Sequence, residues 1–202
     1  MVTTRQTSSV FTVVLAAGSA SRYGSVKQLA EIGGIPLVRR AINVAAEACG
    51  DRAVLITGYE WQAVSAACAP LPGFLIVNGN HVDGLGTSIA AAVRSVRHVA
   101  QAIVVLLADQ PMITAEHVQA LCGAWSGAAN EIVATAYADT VGAPALFPSA
   151  CFDELVMLQG DAGGRHLLSD ERFSVVKVMF EPAAVDIDTP DDLKRISRSA
   201  HN

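Results

Sequence analysis

The residues best suited to chemistry follow the first apolar run of the chain, at positions 15–27. A strand that passes into small residues lets backbone N–H groups approach an anion closely, and Arg22 and Lys27 add two cations that neutralise phosphate charge. The glycine spacing matches neither the dinucleotide-binding fingerprint nor the Walker loop. The stretch is therefore either a phosphate-binding loop or an ordinary glycine-containing turn with two surface cations.

An acidic residue, Asp109, directly follows a later apolar run at positions 102–108. In open α/β sheets the ligand crevice lies at the carboxyl ends of the strands. Mg²⁺ prefers one or two carboxylates together with phosphate oxygens, which makes Asp109 a candidate metal ligand. The alternative is that Asp109 only begins a turn before Pro111.

Two more aspartates, Asp186 and Asp188, precede the last helical segment. If this stretch is extended, alternation places both side chains on the same face. Thr189 is expected to cap the helix, with Pro190 at its first position. The residues alone leave open whether Asp186 or Asp188 points into a site.

A polar, glycine-rich loop at positions 78–88 leads into a further predicted helix. Thr87 or Ser88 is a candidate N-cap, and the N–H groups there could bind an anion or a base carbonyl. The alternative is a plain capped loop.

The candidate segments described above lie between predicted strands and helices that alternate along the chain. Strands are predicted at residues 10–17, 53–57, 74–77, 102–108, 131–137 and 173–179. Helices are predicted at residues 36–49, 60–69, 87–100, 151–159 and 190–199, and another begins after Thr114 as its N-cap. The nearly continuous apolar run at 102–108 is typical of a central parallel strand covered on both faces. The alternation predicts one α/β domain with an open, mostly parallel sheet.

The composition excludes several classes of protein. The chain has 202 residues, of which 51% are hydrophobic, so enough apolar surface is available to rule out disorder. A formal net charge of −5 lacks the basic excess of a nucleic-acid-binding surface. No apolar run approaches the roughly 18 residues that span a bilayer. We therefore expect neither nucleic acid nor a membrane as a partner.

The cysteines and the N-terminus indicate a cytoplasmic protein. The four cysteines form no CxxC pair, as expected for reduced core thiols. Residues 10–20 imitate a short signal peptide, but cleavage there would destroy the loop at 15–27. Residues 1–9 are expected to form a flexible tail and residues 10–198 a single folded domain.

The pattern Leu-Ala-Ala-Gly-x-x-x-Arg-x-Gly-x-x-Lys, which ends at Lys27, resembles the signature of the MobA-like nucleotidyltransferases. Within that family the chain is most similar to molybdenum cofactor cytidylyltransferases, over residues 10–196. The resemblance implies a three-layer α/β/α, Rossmann-like fold of the nucleotide-diphospho-sugar transferase type. Alanine at position 17, where guanine-specific members have glycine, implies CTP, and the Asp-Gln-Pro at 109–111 resembles the same branch.

The resemblance also assigns roles to individual residues. Arg22, Lys27 and Asp109 are implied to be catalytic, and Asp109 with Asp188 is implied to hold Mg²⁺, with Asp186 as the alternative to Asp188. The implied nucleotide-binding residues are Leu15, Ala16, Ala17, Gly18, Ser19, Arg22, Lys27, Gly84, Thr87, Ser88 and Asp109. The implied acceptor-binding residues are Gly142, Pro144, Asp161, Gly163 and Arg165, although Asp161 is equally well explained as a helix cap.

The implied reaction is transfer of CMP from CTP to the terminal phosphate of molybdopterin, with release of pyrophosphate. A phosphate acceptor is already an anion, so the reaction needs positioning and charge neutralisation but no general base. A client molybdoenzyme or its chaperone would be a further partner. The alternatives are guanylyl transfer to the pterin, CTP- or UTP-dependent transfer to a phosphosugar, an enzyme similar to nicotine blue oxidoreductase, and a non-catalytic pterin carrier.

Overall fold

Strands and α-helices alternate through this computed structural model, which describes residues 9–19 and 23–199. The strands are β1 (Val10–Ala16), β2 (Glu31–Ile32), β3 (Ile35–Pro36), β4 (Ala53–Thr57), β5 (Phe74–Val77), β6 (Ala102–Leu107), β7 (Glu131–Tyr137), β8 (Thr140–Pro148) and β9 (Ser174–Met179). The helices are α1 (Leu37–Cys49), α2 (Trp61–Ala67), α3 (Leu85–Val96), α4 (Ala115–Ala124), α5 (Phe152–Leu155) and α6 (Pro190–Ser199). Short 3₁₀ turns, among them Lys27–Leu29 and Gly164–Ser169, join several of them.

Seven of the strands form one mostly parallel sheet in the order β5-β4-β1-β6-β8-β7-β9. Strand β1 lies in its interior and pairs in parallel with β4 and β6. Strand β8 runs antiparallel to both of its neighbours, β6 and β7. The carboxyl ends of β1, β4 and β6 consequently meet at one edge, where the loops that follow them are neighbours.

Helices cover both faces of the sheet, because alternate side chains of the central strands point to opposite sides. Val14 of β1 packs on the same side as Ile42 of α1 and Leu121 of α4. Val13 packs on the other side, with Val93 of α3 and Leu155 of α5. The predicted three-layer α/β/α architecture is confirmed.

The predicted strands are confirmed with few changes at their ends. Strands β4, β5 and β7 have the predicted bounds, while β1 and β6 end one residue earlier and β9 begins one residue later. Helix α6 also has the predicted bounds, and α1 and α2 are slightly shorter than predicted. Thr114 caps α4 as expected, since its hydroxyl accepts a hydrogen bond from the His117 N–H.

Three predictions about elements were wrong or incomplete. Strand β8 was not predicted, because Gly142 and Pro144 interrupt the alternation that marks a strand. Helix α5 has four residues, not the predicted nine, and ends at Leu155. Helix α3 begins at Leu85, so its N-cap is Gly84 and the expectation of Thr87 or Ser88 as the cap is wrong.

A small cluster of buried apolar side chains, separate from the two faces of the sheet, anchors the segment that carries Asp186 and Asp188. Ile187 is fully buried against Ile32 of β2 and Leu37 of α1. Thr189 and Asp192 form a reciprocal cap at the start of α6: the Asp192 carboxylate accepts from the Thr189 N–H at 2.8 Å, and the Thr189 hydroxyl accepts from the Asp192 N–H at 3.3 Å. The predicted Thr189 cap is therefore confirmed.

Three further observations concern the ends, the cysteines and the helices. Ser9 is held by the residue that precedes β6, since its carbonyl accepts from the Gln101 N–H, and residues 1–8 lie outside the described residues. All four cysteines are free, and Cys49, Cys68 and Cys151 are buried. Within the described ranges, no helix is both long and apolar enough to cross a bilayer.

Ile187→Ala is expected to lower the free energy of unfolding by about 2–5 kcal/mol, because it leaves a cavity in a fully buried cluster. Met157→Ala, at a side chain that is 72% exposed, is the control and should change stability by less than about 0.5 kcal/mol. Urea unfolding of both variants measures the difference. Equal midpoints would show that Ile187 does not anchor this segment.

Candidate active site

The side chain of Lys27 bridges two carboxylates at the carboxyl edge of the sheet. Its Nζ lies 2.6 Å from Oδ2 of Asp109 and 3.2 Å from Oδ1 of Asp188. Only 14% of the Lys27 side chain is exposed, so solvent screens these ion pairs less than it screens surface pairs. Two aspartates that would repel each other are therefore held side by side by one ammonium group.

Backbone hydrogen bonds bring the three residues together. The Ala108 N–H donates to the Leu15 carbonyl, which fixes the start of the Asp109 loop beside the end of β1. The Ile187 N–H donates to the carbonyl of Asp109 at 3.0 Å, which places the residue after Ile187 next to Asp109. Lys27 enters from the 3₁₀ turn Lys27–Leu29.

Asp188, rather than Asp186, is the late aspartate that joins this cluster. Asp188 and Asp186 line different cavities, and the Asp188 carboxylate is the one that accepts a hydrogen bond from Lys27.

Charge crowding changes the ionisation of two groups. Burial opposes the charge on Lys27, but the neighbouring Asp109 and Asp188 outweigh it, so the pKa of Lys27 is raised. Desolvation in the cleft, followed by repulsion from Asp109 and Asp188, raises the pKa of Asp186 to about 6. The site therefore carries an excess of negative charge that favours a bound cation.

A cavity of about 440 Å³ opens beside the cluster. Most of the predicted nucleotide-binding residues line it, namely Leu15, Ala17, Gly18, Ser19, Lys27, Gly84, Ser88 and Asp109, together with Asp188. The residues that directly follow β1 and the loop before α3 both contribute to the wall of this cavity. We call this space the first cavity.

Two of the predicted nucleotide-binding residues do not line the first cavity. Ala16 is buried in β1 on the face covered by α1. The Thr87 hydroxyl shares its one proton between the Gly84 and Asn80 carbonyls, at 2.8 and 2.9 Å. Arg22 lies outside the described residues.

Asn78 organises the loop before α3, a role that sequence reasoning missed. Its buried amide donates to the hydroxyls of Thr87 and Ser88 at 2.9 and 3.0 Å, and its Oδ1 accepts from the Asn80 N–H. Asn78 directly follows β5 at the carboxyl edge of the sheet, and that position was the available signal.

A second cavity, of about 360 Å³, adjoins the first and shares Leu15, Leu85 and Leu107 with it. Three predicted acceptor-binding residues line it, Gly142, Gly163 and Arg165, and Asp186 lies there too. Tyr137, Thr140 and Gln110 also line it and were not predicted.

The other two predicted acceptor-binding residues do not line the second cavity. Pro144 is buried in β8, where its carbonyl accepts from the Thr135 hydroxyl. Asp161 lines the first cavity instead. It caps no helix with its side chain, because the 3₁₀ turn Gly164–Ser169 begins after Gly163 without a side-chain cap.

The walls of the two cavities are joined at glycines. The Gly86 N–H donates to the carbonyl of Gly160 at 2.8 Å. A Cβ added to Gly84 would lie 2.3 Å from the backbone of Gly160, and Gly84 has φ +96°. Only glycine at position 84 permits this close approach of the two backbone segments. The approach fixes Asp161 beside the loop that precedes α3.

The carboxylates fit a magnesium ion. Asp109 Oδ1 is buried and has no hydrogen-bond partner in the part of the chain that the structure describes, which leaves an acceptor for a cation. Within the described residues no group of three or more acidic, His or Cys side chains could hold a metal. Two carboxylates completed by phosphate oxygens are the ligand set that Mg²⁺ prefers.

Comparison with known proteins identifies the family of the chain. A model of the MobA-like NTP transferase domain matches residues 12–175. The chain belongs to the MobA-like NTP transferase family. The match includes β1, the loop at 15–27 and Asp109, and ends before the segment that carries Asp188.

Relatives of similar length extend the likeness over nearly the whole chain. Purine catabolism protein PucB of Bacillus subtilis is 28% identical over 198 residues, which cover 93% of this chain and 95% of that protein. Rv0371c of Mycobacterium tuberculosis, solved in complex with manganese, is 31% identical with a TM-score of 0.79, over 95% of this chain and 100% of that one. Molybdopterin-guanine dinucleotide biosynthesis protein A of Archaeoglobus fulgidus has the same fold, with 23% identity and a TM-score of 0.66 over 94% and 98% of the two chains.

The raised pKa of Asp186 predicts a pH effect on stability. Between about pH 4 and pH 6 the native state binds more protons than the unfolded state, so the free energy of unfolding should fall as the pH rises through this range. Asp186→Asn removes this contribution and should be more stable than the parent above pH 6, with the difference shrinking towards pH 4.

Urea unfolding at several pH values, with a carboxyl NMR titration of Asp186, provides the measurement. Asp51→Asn, at an exposed position away from the cluster, is the control. An Asp186 carboxyl that titrates near its ordinary value of about 3.9 would refute the proposed crowding.

Proposed function

We propose that this nucleotidyltransferase moves CMP from CTP to the terminal phosphate of molybdopterin. An oxygen of the acceptor phosphate attacks the α-phosphorus of CTP, the new P–O bond forms, and the bond to the β-phosphate breaks to release pyrophosphate. The observation that carries the proposal is the Lys27–Asp109–Asp188 cluster on the wall of the first cavity, which adjoins the second. One substrate can occupy each cavity with its phosphate directed to the cluster.

The first cavity suits the nucleoside triphosphate. The backbone at Gly18 and Ser19 offers N–H groups to the β- and γ-phosphates, and Lys27 neutralises charge that builds on the α-phosphate. Asp109 and Asp188 would hold Mg²⁺, which would supply further neutralisation of the triphosphate. Ala17 on the cavity wall, with the resemblance that it carries, favours CTP over GTP.

The second cavity suits the acceptor. Apolar side chains including Ile89, Val105 and Phe147 line one part of it, and Tyr137, Thr140 and Arg165 add hydrogen-bonding groups. The Arg165 guanidinium donates to the Thr140 hydroxyl at 2.7 Å and retains donors for a phosphate. Such a mixed lining fits a flat heterocycle that bears polar groups and a phosphate.

The reaction is tested by incubating the protein with Mg²⁺, molybdopterin and each nucleoside triphosphate in turn, while pyrophosphate release is measured. We expect release with CTP, dependent on the pterin. Release with GTP would indicate guanylyl transfer, and release with CTP or UTP only when a phosphosugar is present would indicate another acceptor. No release with any triphosphate would refute the proposal and favour a reductase or a carrier.

Lys27→Ala and Asp109→Ala should each reduce pyrophosphate release by at least about 100-fold, because each removes charge stabilisation that the transition state needs. The matched controls are Lys177→Ala and Asp51→Ala, at exposed positions away from both cavities. Circular dichroism checks that all four variants keep the fold. Near-parental turnover of either cluster variant would contradict the proposed mechanism.

A further inference from the structure

A buried amide lies directly behind the phosphate-binding loop. Gln28 follows Lys27 in the same 3₁₀ turn, is only 6% exposed, and lies at the wall of the first cavity. Its Nε2 donates to the carbonyl oxygen of Gly18 at 2.7 Å. Neither the motif spacing nor the family resemblance singled out this residue.

The Gln28 amide is held in one orientation, in which its oxygen is left without a hydrogen-bond partner among the described residues. This oxygen, Oε1, is buried. Reversing the amide would place Oε1 against the Gly18 carbonyl, acceptor against acceptor, so the observed orientation is the favourable one. A buried acceptor without a partner destabilises the fold, and such exceptions are concentrated at functional positions.

The consequence for the loop comes from the geometry of the peptide bond. In a planar trans peptide the C=O of one residue and the N–H of the next point in opposite directions. The Gly18 carbonyl points to Gln28, so the Ser19 N–H of the same peptide group points away from Gln28. Gly18, Ser19 and Gln28 all line the first cavity.

We propose that Gln28 is a positioning residue that holds the Gly18–Ser19 peptide with the Ser19 N–H directed at a phosphate of the nucleotide. Gln28 acts on the bound anion through Gly18 and Ser19. The inference rests on the proposed function in one respect, that a polyphosphate lies at this loop. It makes one turn responsible for two tasks, since Lys27 meets the carboxylates and Gln28 fixes the loop.

Two variants of similar size test the proposal. Gln28→Met removes both the donor and the unpartnered acceptor, and Gln28→Glu replaces the donor by an oxygen that repels the Gly18 carbonyl. Gln119→Met, at an exposed position on α4, is the matched control. The dissociation constants of CTP, GTP, UTP, ATP and inorganic tripolyphosphate, each with Mg²⁺, are measured by calorimetry, and thermal midpoints by differential scanning fluorimetry.

We expect Gln28→Met to weaken binding of CTP and of tripolyphosphate by about 10- to 100-fold, the range for one hydrogen bond to a charged group. Its thermal midpoint should be equal to or above that of the parent, because the unpartnered acceptor is gone. Gln28→Glu should weaken binding further. If Gln28 had a purely structural role, Gln28→Met would have a lower thermal midpoint and an unchanged affinity for CTP and tripolyphosphate.

The outcomes separate this inference from the proposed function. Unchanged affinity in Gln28→Met would overturn the role of Gln28 and leave the function standing. If the parent binds another triphosphate but not CTP, the CTP assignment fails, and the comparison with that triphosphate still decides the role of Gln28. A parent that binds neither a nucleotide nor tripolyphosphate would overturn both.

Discussion

The ion pairs of Lys27 with Asp109 and Asp188 are the interaction on which the organisation of the site depends. They join residues 82 and 161 positions apart in the chain. Without the ammonium group, two aspartates at a poorly solvated edge would repel each other. A buried ion pair is weak evidence for stability, because desolvation offsets the Coulomb attraction. Its value here lies in holding two carboxylates side by side at the carboxyl edge of the sheet.

The sheet makes this juxtaposition possible. Strands β1 and β6 are parallel neighbours, so the loops that carry Lys27 and Asp109 leave the sheet at the same edge. Asp188, the third residue of the cluster, lies outside the sheet and directly follows the buried side chain of Ile187. Of the two aspartates that flank Ile187, Asp188 lines the first cavity and Asp186 the second. Packing and electrostatics cooperate at this point, since the raised pKa of Asp186 reflects the same crowding.

The two cavities form a continuous unit because their walls share backbone contacts. Gly86 and Gly160 are hydrogen-bonded, and Gly84 has no room for a side chain. A nucleotide in the first cavity and an acceptor in the second would therefore contact the same pair of loops. This arrangement explains why Asp161, which the family resemblance implied on the acceptor side, lines the nucleotide side. Membership of the MobA-like NTP transferase family is consistent with a site that brings two phosphates together.

The sequence by itself determined six of the nine strands that the described residues form, the layered architecture, the family and many of the residues that line the first cavity. These features depend on local apolar patterns and on motif spacing, which the chain displays without folding. Tertiary structure alone decided the insertion of β8, the start of α3 at Leu85, the choice between Asp186 and Asp188, and the parts of Asn78 and Gln28. Each of these depends on a contact between segments distant in sequence or on a backbone direction. A buried amide such as Gln28 has no distinctive sequence pattern, and its meaning appears only when the carbonyl that it holds is known.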